Sequence, residues 1–150
     1  MSRTDRRPRW RSRSDHPRGQ AMVEFAFAFV IFFGLLMGIL DLGRAVYQWN
    51  GVSQAAREIA RATSVHPGVP LGTSDETADV VDGQQDIFPD MRVPEFECRD
   101  LSGADATTPT GACLPGNFVN VRVTADFEPV TPIFNLIPLT LTSSSSVQIP

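Results

Sequence analysis

Lysine is absent from this 150-residue chain, so its thirteen basic residues are all arginine. Histidine occurs only at His16 and His66, and cysteine only at Cys98 and Cys113. So few imidazole and thiol groups leave no metal-ligand cluster, and the CxxC spacing of redox sites is missing. No phosphate-binding glycine loop is present, and no Ser, His and Asp set can be grouped from the sequence. The serine run at 143–146 reads as strand or tail rather than as a nucleophile. These gaps argue against an enzyme, a cofactor, a metal or a small-molecule substrate. Proline is missing from residues 19–66, whereas ten of the twelve prolines follow that stretch. Nothing in it interrupts a helix.

What the chain does have is one long apolar run. Between Ala21 and Leu40 the only charged side chain is Glu24. Twenty helical residues rise about 30 Å, the thickness of a bilayer's hydrocarbon core. The run is apolar on every side, so it crosses the membrane lipid rather than lying along its surface. A cleaved secretory signal would have a shorter apolar core and a small-x-small end. This run ends in Asp41, Leu42, Gly43 and Arg44 instead.

Charge sets the expected orientation. Residues 1–20 hold seven arginines against Asp5 and Asp15, a net of +5. Short basic arms stay on the cytoplasmic side, which places everything after the span outside. The arm, with Pro8 and Pro17, reads as disordered. Residues 41–150 carry six arginines against fourteen carboxylates, a net of −8, so no nucleic-acid partner is expected.

An acid inside an apolar span costs about 2 kcal/mol or more, less near the interface. Glu24 is therefore either a carboxylate at the headgroup boundary or a group with a partner. The local order is Gly19, Gln20, Ala21, Met22, Val23, Glu24, Phe25. It resembles the processing site of type IV prepilin-like proteins, which a prepilin-type membrane peptidase cuts after the glycine. That resemblance implies a new amine at Gln20, available to pair with Glu24 of a neighbouring helix in low dielectric.

Over residues 18–64 the likeness becomes more specific. The Val23, Glu24, Phe25 triplet, the Asp41 to Arg44 exit, and Ala55, Ala56, Arg57 followed by Arg61 resemble the amino-terminal region of TadE-like proteins. These are minor pseudopilin-type components of the tight-adherence (Flp, type IVc) pilus system. The resemblance implies a single-pass protein of a bacterial cell membrane, with other pilins or pseudopilins and pilus assembly proteins as partners. It implies no enzymatic role. The competing reading is an uncleaved, membrane-anchored extracytoplasmic binding domain.

Beyond the span, Leu42, Ala45, Val46, Trp49, Val52, Ala56, Ile59, Ala60 and Thr63 recur at helical spacing. They predict that the span continues as an amphipathic helix through about residue 66, stopped by Pro67 and Gly68. Gly43 and Gly51 are weak points where such a helix can bend. Gly34 and Gly38 form a GxxxG pair, which is either a helix-packing face or a coincidence of composition.

Residues 67–92 are rich in Pro, Gly and acids. Thr73 and Glu76 have capping-box spacing for a short helix to about Val81, with surface loop otherwise. Asp75, Glu76, Asp79, Asp82 and Asp86 lack the spacing of a calcium loop and read as a solvated acidic face. Cys98 and Cys113, outside the cytoplasm, are expected to form a disulfide rather than to remain two thiols. Residues 118–127 alternate, with Val119, Val121, Val123, Ala125 and Phe127 on one side. A second alternation runs from Leu139 through Ile149, and Phe96 with Cys98 supplies an edge strand behind Pro94.

The expected class is α+β. A long N-terminal helix, half in the membrane, packs on a small antiparallel sheet in a pilin-like arrangement. The expected divisions are a leader (1–19), a transmembrane helix (20–40), its amphipathic extension (41–66) and a small loop and β domain (67–150).

Overall fold

The computed structural model describes residues 17–131 and 139–150. The leader through residue 16, expected to be disordered, and the end of the apolar connection before Leu139 lie outside the described residues. Five elements follow in order: α1 (Pro17–Ser64), α2 (Asp75–Ile87), β1 (Glu95–Arg99), β2 (Phe118–Phe127) and β3 (Leu139–Gln148). The chain forms two compact units, Met1–Leu36 and Met37–Pro150.

In the first unit the described residues are helical. Pro17 occupies the first helical position, where its missing N–H would have had no partner. The apolar side chains that follow are exposed, among them Phe25, Phe27, Ile31 and Leu35. Phe25, Phe29 and Phe33 stack one turn apart, with centroids 5.9 and 4.7 Å from one ring to the next. Among the described residues this is the one helix long and apolar enough to cross a membrane.

The second unit is a three-stranded antiparallel sheet, order β1-β2-β3, with the outer part of α1 contributing to its core. The alternation read in β2 is the core row: Val119, Val121 and Val123 are fully buried, and Ala125 and Phe127 nearly so. Each buried valine contributes on the order of 1.5 kcal/mol or more. Opposite this row stand Val52, Ala55, Ala56, Ile59 and Ala60 of α1. The alanines keep the helix surface low, so the valine row can approach it closely.

The apolar stripe expected along the whole outer helix is only half used. Leu42, Val46 and Trp49 are 64%, 47% and 53% exposed, and burial begins at Val52. The buried valine row is matched by residues 52–60, whereas nearer the span the end of β2 meets the helix at Asp41 and Arg44 and leaves these three side chains uncovered.

Residues 67–92 are more ordered than expected. Ser74, not Thr73, caps α2: its hydroxyl oxygen accepts from the Thr77 N–H at 3.3 Å. Thr73 instead donates its hydroxyl to the Pro70 carbonyl at 2.8 Å, closing the preceding turn. The helix then runs six residues past Val81, to Ile87. Tertiary contacts sustain it, because Val80, Val81 and Phe88 pack against the core and Thr77 is fully buried. Asp75 and Glu76 sit in its first turn, where the helix dipole favours carboxylates.

Cys98 and Cys113 are bridged across 15 positions with Cα atoms 5.5 Å apart. Closing that loop contributes about 3 kcal/mol in the chain-entropy account.

Gly51 is not a hinge by default. The Phe88 ring, next after α2, occupies the space where a Gly51 side chain would stand. The same ring borders a hollow of about 560 Å³ lined by Ile39, Leu40, Tyr47, Val52 and Ala125. Replacing a helical glycine by alanine ordinarily gains about 1 kcal/mol. Here Gly51→Ala forces the ring out of its place, and a net loss of stability is expected. In a Phe88→Ala background the same change should gain about 1 kcal/mol. Chemical unfolding of the four proteins measures the cycle, and stabilisation by Gly51→Ala in both backgrounds refutes the steric account.

Candidate functional site

The residues singled out in the sequence lie along α1. Gly19, Gln20, Glu24 and Phe25 are all exposed in its first three turns. The Gly19–Gln20 bond falls within the first turn, whose N–H groups have no acceptor inside the helix. Gln20 and Glu24 are four residues apart and share a face. Among the described residues no basic side chain lies within ion-pair distance of Glu24. Gly34 and Gly38 also share a face, and a Cβ at either would meet nothing among the described residues. Gly34 is exposed, whereas Gly38 is half-buried and borders a hollow lined also by Phe127, Pro129 and Leu139.

The least expected geometry is at the end of the apolar run. Asp41 is 6% exposed and is the buried ionisable residue among the described ones. One carboxylate oxygen accepts from the Val130 N–H at 2.9 Å, and the other accepts from the Thr131 N–H at 2.9 Å and from the Thr131 hydroxyl. Arg44, one turn on, lies 3.5 Å from the same carboxylate, and donates to the Glu128 carbonyl at 3.4 Å. Its guanidinium also sits 5.7 Å from the centre of the Phe127 ring. Asp41 and Arg44 together thus hold the chain as it leaves β2.

The Thr131 hydroxyl, followed by the Val130 amide, holds the Asp41 carboxyl below the ordinary aspartate range, against the opposing effect of burial. A carboxylate so fully engaged as an acceptor is a structural tie and a poor general base. Sequence reading treated Asp41 to Arg44 only as the exit from the span. The available signal was an acid and an arginine three residues apart just after an apolar run. Their partners, ninety positions away, could not be read from spacing.

The model of the family described as TadE-like protein matches residues 19–61. This agrees with the resemblance read from the sequence. The match covers Gly19 to Phe25, the Asp41 to Arg44 stretch and the Ala-rich face of α1. No curated protein matches the chain, and no solved structure does.

Because the Asp41 carboxyl is held low when folded, its contribution is present above the unfolded pKa. It is lost as pH falls through the lower folded value. Asp41→Asn replaces an acceptor oxygen with an NH2 facing other donors. Hydrogen exchange at Val130 and Thr131 should therefore quicken in the variant at neutral pH. The same loss of protection, measured against the intrinsic exchange rate at each pH, should appear in the natural protein only on acidification. Equal protection in variant and natural protein at neutral pH refutes the tie.

Proposed function

We infer that this chain, TadE-like over residues 19–61, is a minor pseudopilin-type component that takes part in assembling a tight-adherence pilus. The observation that carries the reading is the conjunction, on one exposed apolar helix, of Gly19 and Glu24 inside the segment matched by the family.

The helix anchors the chain in the membrane, with the basic leader in the cytoplasm and the sheet domain outside. A prepilin-type peptidase cuts after Gly19 and removes the leader. The first turn of α1 is where an extended cleavage substrate can be drawn out most cheaply, because its N–H groups leave the fewest helical bonds to break. Cleavage creates an ammonium at Gln20. Glu24, costly alone in lipid, then has a cation to pair with: its own, one turn away, or that of a staggered neighbour. The absence of a side chain at Gly34 and Gly38 lets another helix approach closely. The disulfide suits the oxidising side of the membrane. The work is positional, with no cofactor and no substrate to turn over.

Mass spectrometry of the mature protein from cells that carry the peptidase should find Gln20 at the amino terminus. A chain retaining Met1, or cut elsewhere, favours the permanently anchored binding domain instead. Separately, Glu24→Ala should leave membrane insertion intact and impair pilus assembly. Normal pili from the substituted protein refute the pairing role.

A further inference from the structure

Where the apolar run ends, α1 keeps an apolar row that the sheet leaves open. Ile39, Leu42, Val46 and Trp49 are all exposed. They stand three, four and three residues apart, and the same alternation continues back in the sequence through Leu35, Phe32, Ala28 and Phe25. The covered side of these turns carries other residues, Asp41, Ala45, Gln48 and Val52. Lipid accounts only for the lower end of the row. With Leu40 at the hydrocarbon boundary, Val46 and Trp49 lie about 9 and 13 Å further along the helix, whereas the headgroup layer is about 5 to 8 Å deep.

This spacing is the seam of a left-handed coiled coil, in which the first and fourth places of each heptad meet the partner. Ile39 and Val46 take the first place, and Leu35, Leu42 and Trp49 the fourth. β-Branched residues at the first place with leucine at the fourth favour two parallel strands. The places flanking the seam, which select the partner when they are charged, hold Gly38, Gly43, Ala45 and Asn50. None of these repels its own copy, and the small residues let two backbones approach. Asp41 and Arg44 fall at places away from the seam. After Trp49 the row stops, because the next two places hold Ser53 and the core residue Ala56.

We propose that residues 39–49 of α1 form a parallel, in-register, two-stranded coiled coil with the same residues of a second copy of this chain. The two-fold axis then runs along the helices, so both copies enter one membrane in the same direction. Each seam residue meets its own counterpart, and the pairs remove apolar surface from water above the headgroups. The pairing goes beyond the proposed function and is independent of whether the leader is cut.

The test uses the full chain in detergent micelles. Both natural cysteines are bridged, so Val46→Cys introduces one free thiol on the seam. Mild oxidation should yield a covalent dimer, because facing seam residues come within disulfide range. Tyr47→Cys, exposed but one place off the seam, should cross-link far less. Val46→Glu sets carboxylate against carboxylate and should weaken dimerisation roughly tenfold or more, by light scattering. Val46→Lys should do the same alone, and an equimolar mixture of the two variants should pair again, since in register the lysine faces the glutamate. Val46 is exposed in the single chain, so neither variant disturbs the core, and the Cys98–Cys113 bridge and circular dichroism check folding. A monomeric natural chain, equal cross-linking from Tyr47→Cys, a dimer that survives both Val46 variants, or a mixture that stays monomeric overturns the proposal. If the dimer survives, the copies are held elsewhere, for example through the sheet. The amino-terminal mass that tests the pseudopilin reading is unaffected by these outcomes.

Discussion

A helix satisfies its own backbone hydrogen bonds, and that property lets α1 serve two surroundings with one continuous element. Its first apolar turns need no protein cover, because their polar backbone is already paired and their side chains suit lipid. From Val52 onward the same helix buries a face in a protein core. The strands have no such independence. β2 requires partners on both edges, and where it ends at Phe127 its successors lose theirs. The N–H groups of Val130 and Thr131 find acceptors in Asp41, which makes the end of the apolar run also a fastening point for the sheet.

Small residues govern how closely the pieces approach. Ala55, Ala56 and Ala60 give the valine row of β2 a shallow surface to lie on, and Gly51 admits the Phe88 ring. α2 is secured from its start by the Ser74 cap and along its length by Gln84, whose side-chain amide donates to Glu58 of α1 at 2.9 Å. The disulfide ties β1 to the turn preceding β2. Fastenings of different chemistry therefore converge on β2, the central strand.

Residues 41–150 carry a net negative charge, and the stretches without charge are informative. One is the exposed stripe Leu42, Val46 and Trp49, just past the apolar run. Another is β3, neutral along its length beside a domain of net −8. Under the proposed function, which is placement among other subunits, such surfaces matter more than a cleft. Among the described residues nothing covers the apolar side chains of the first turns or the β3 amides that point away from β2.

Period and composition determined a great deal by themselves. The uninterrupted apolar run, the alternation at 118–127 and 139–148, and the stop at Pro67 and Gly68 are local signals, set by sterics and by hydrophobic spacing. The family likeness was legible for the same reason, since its residues lie in one unbroken stretch from Gly19 to Arg61. Tertiary structure alone decided three things. It made Asp41 a buried tie, because its donors arrive from ninety residues away. It turned Gly51 from a weak point into a seat for Phe88. It divided one apolar stripe into a buried part and an exposed part, because burial depends on where the sheet lies along the helix, and a helical period carries no record of that.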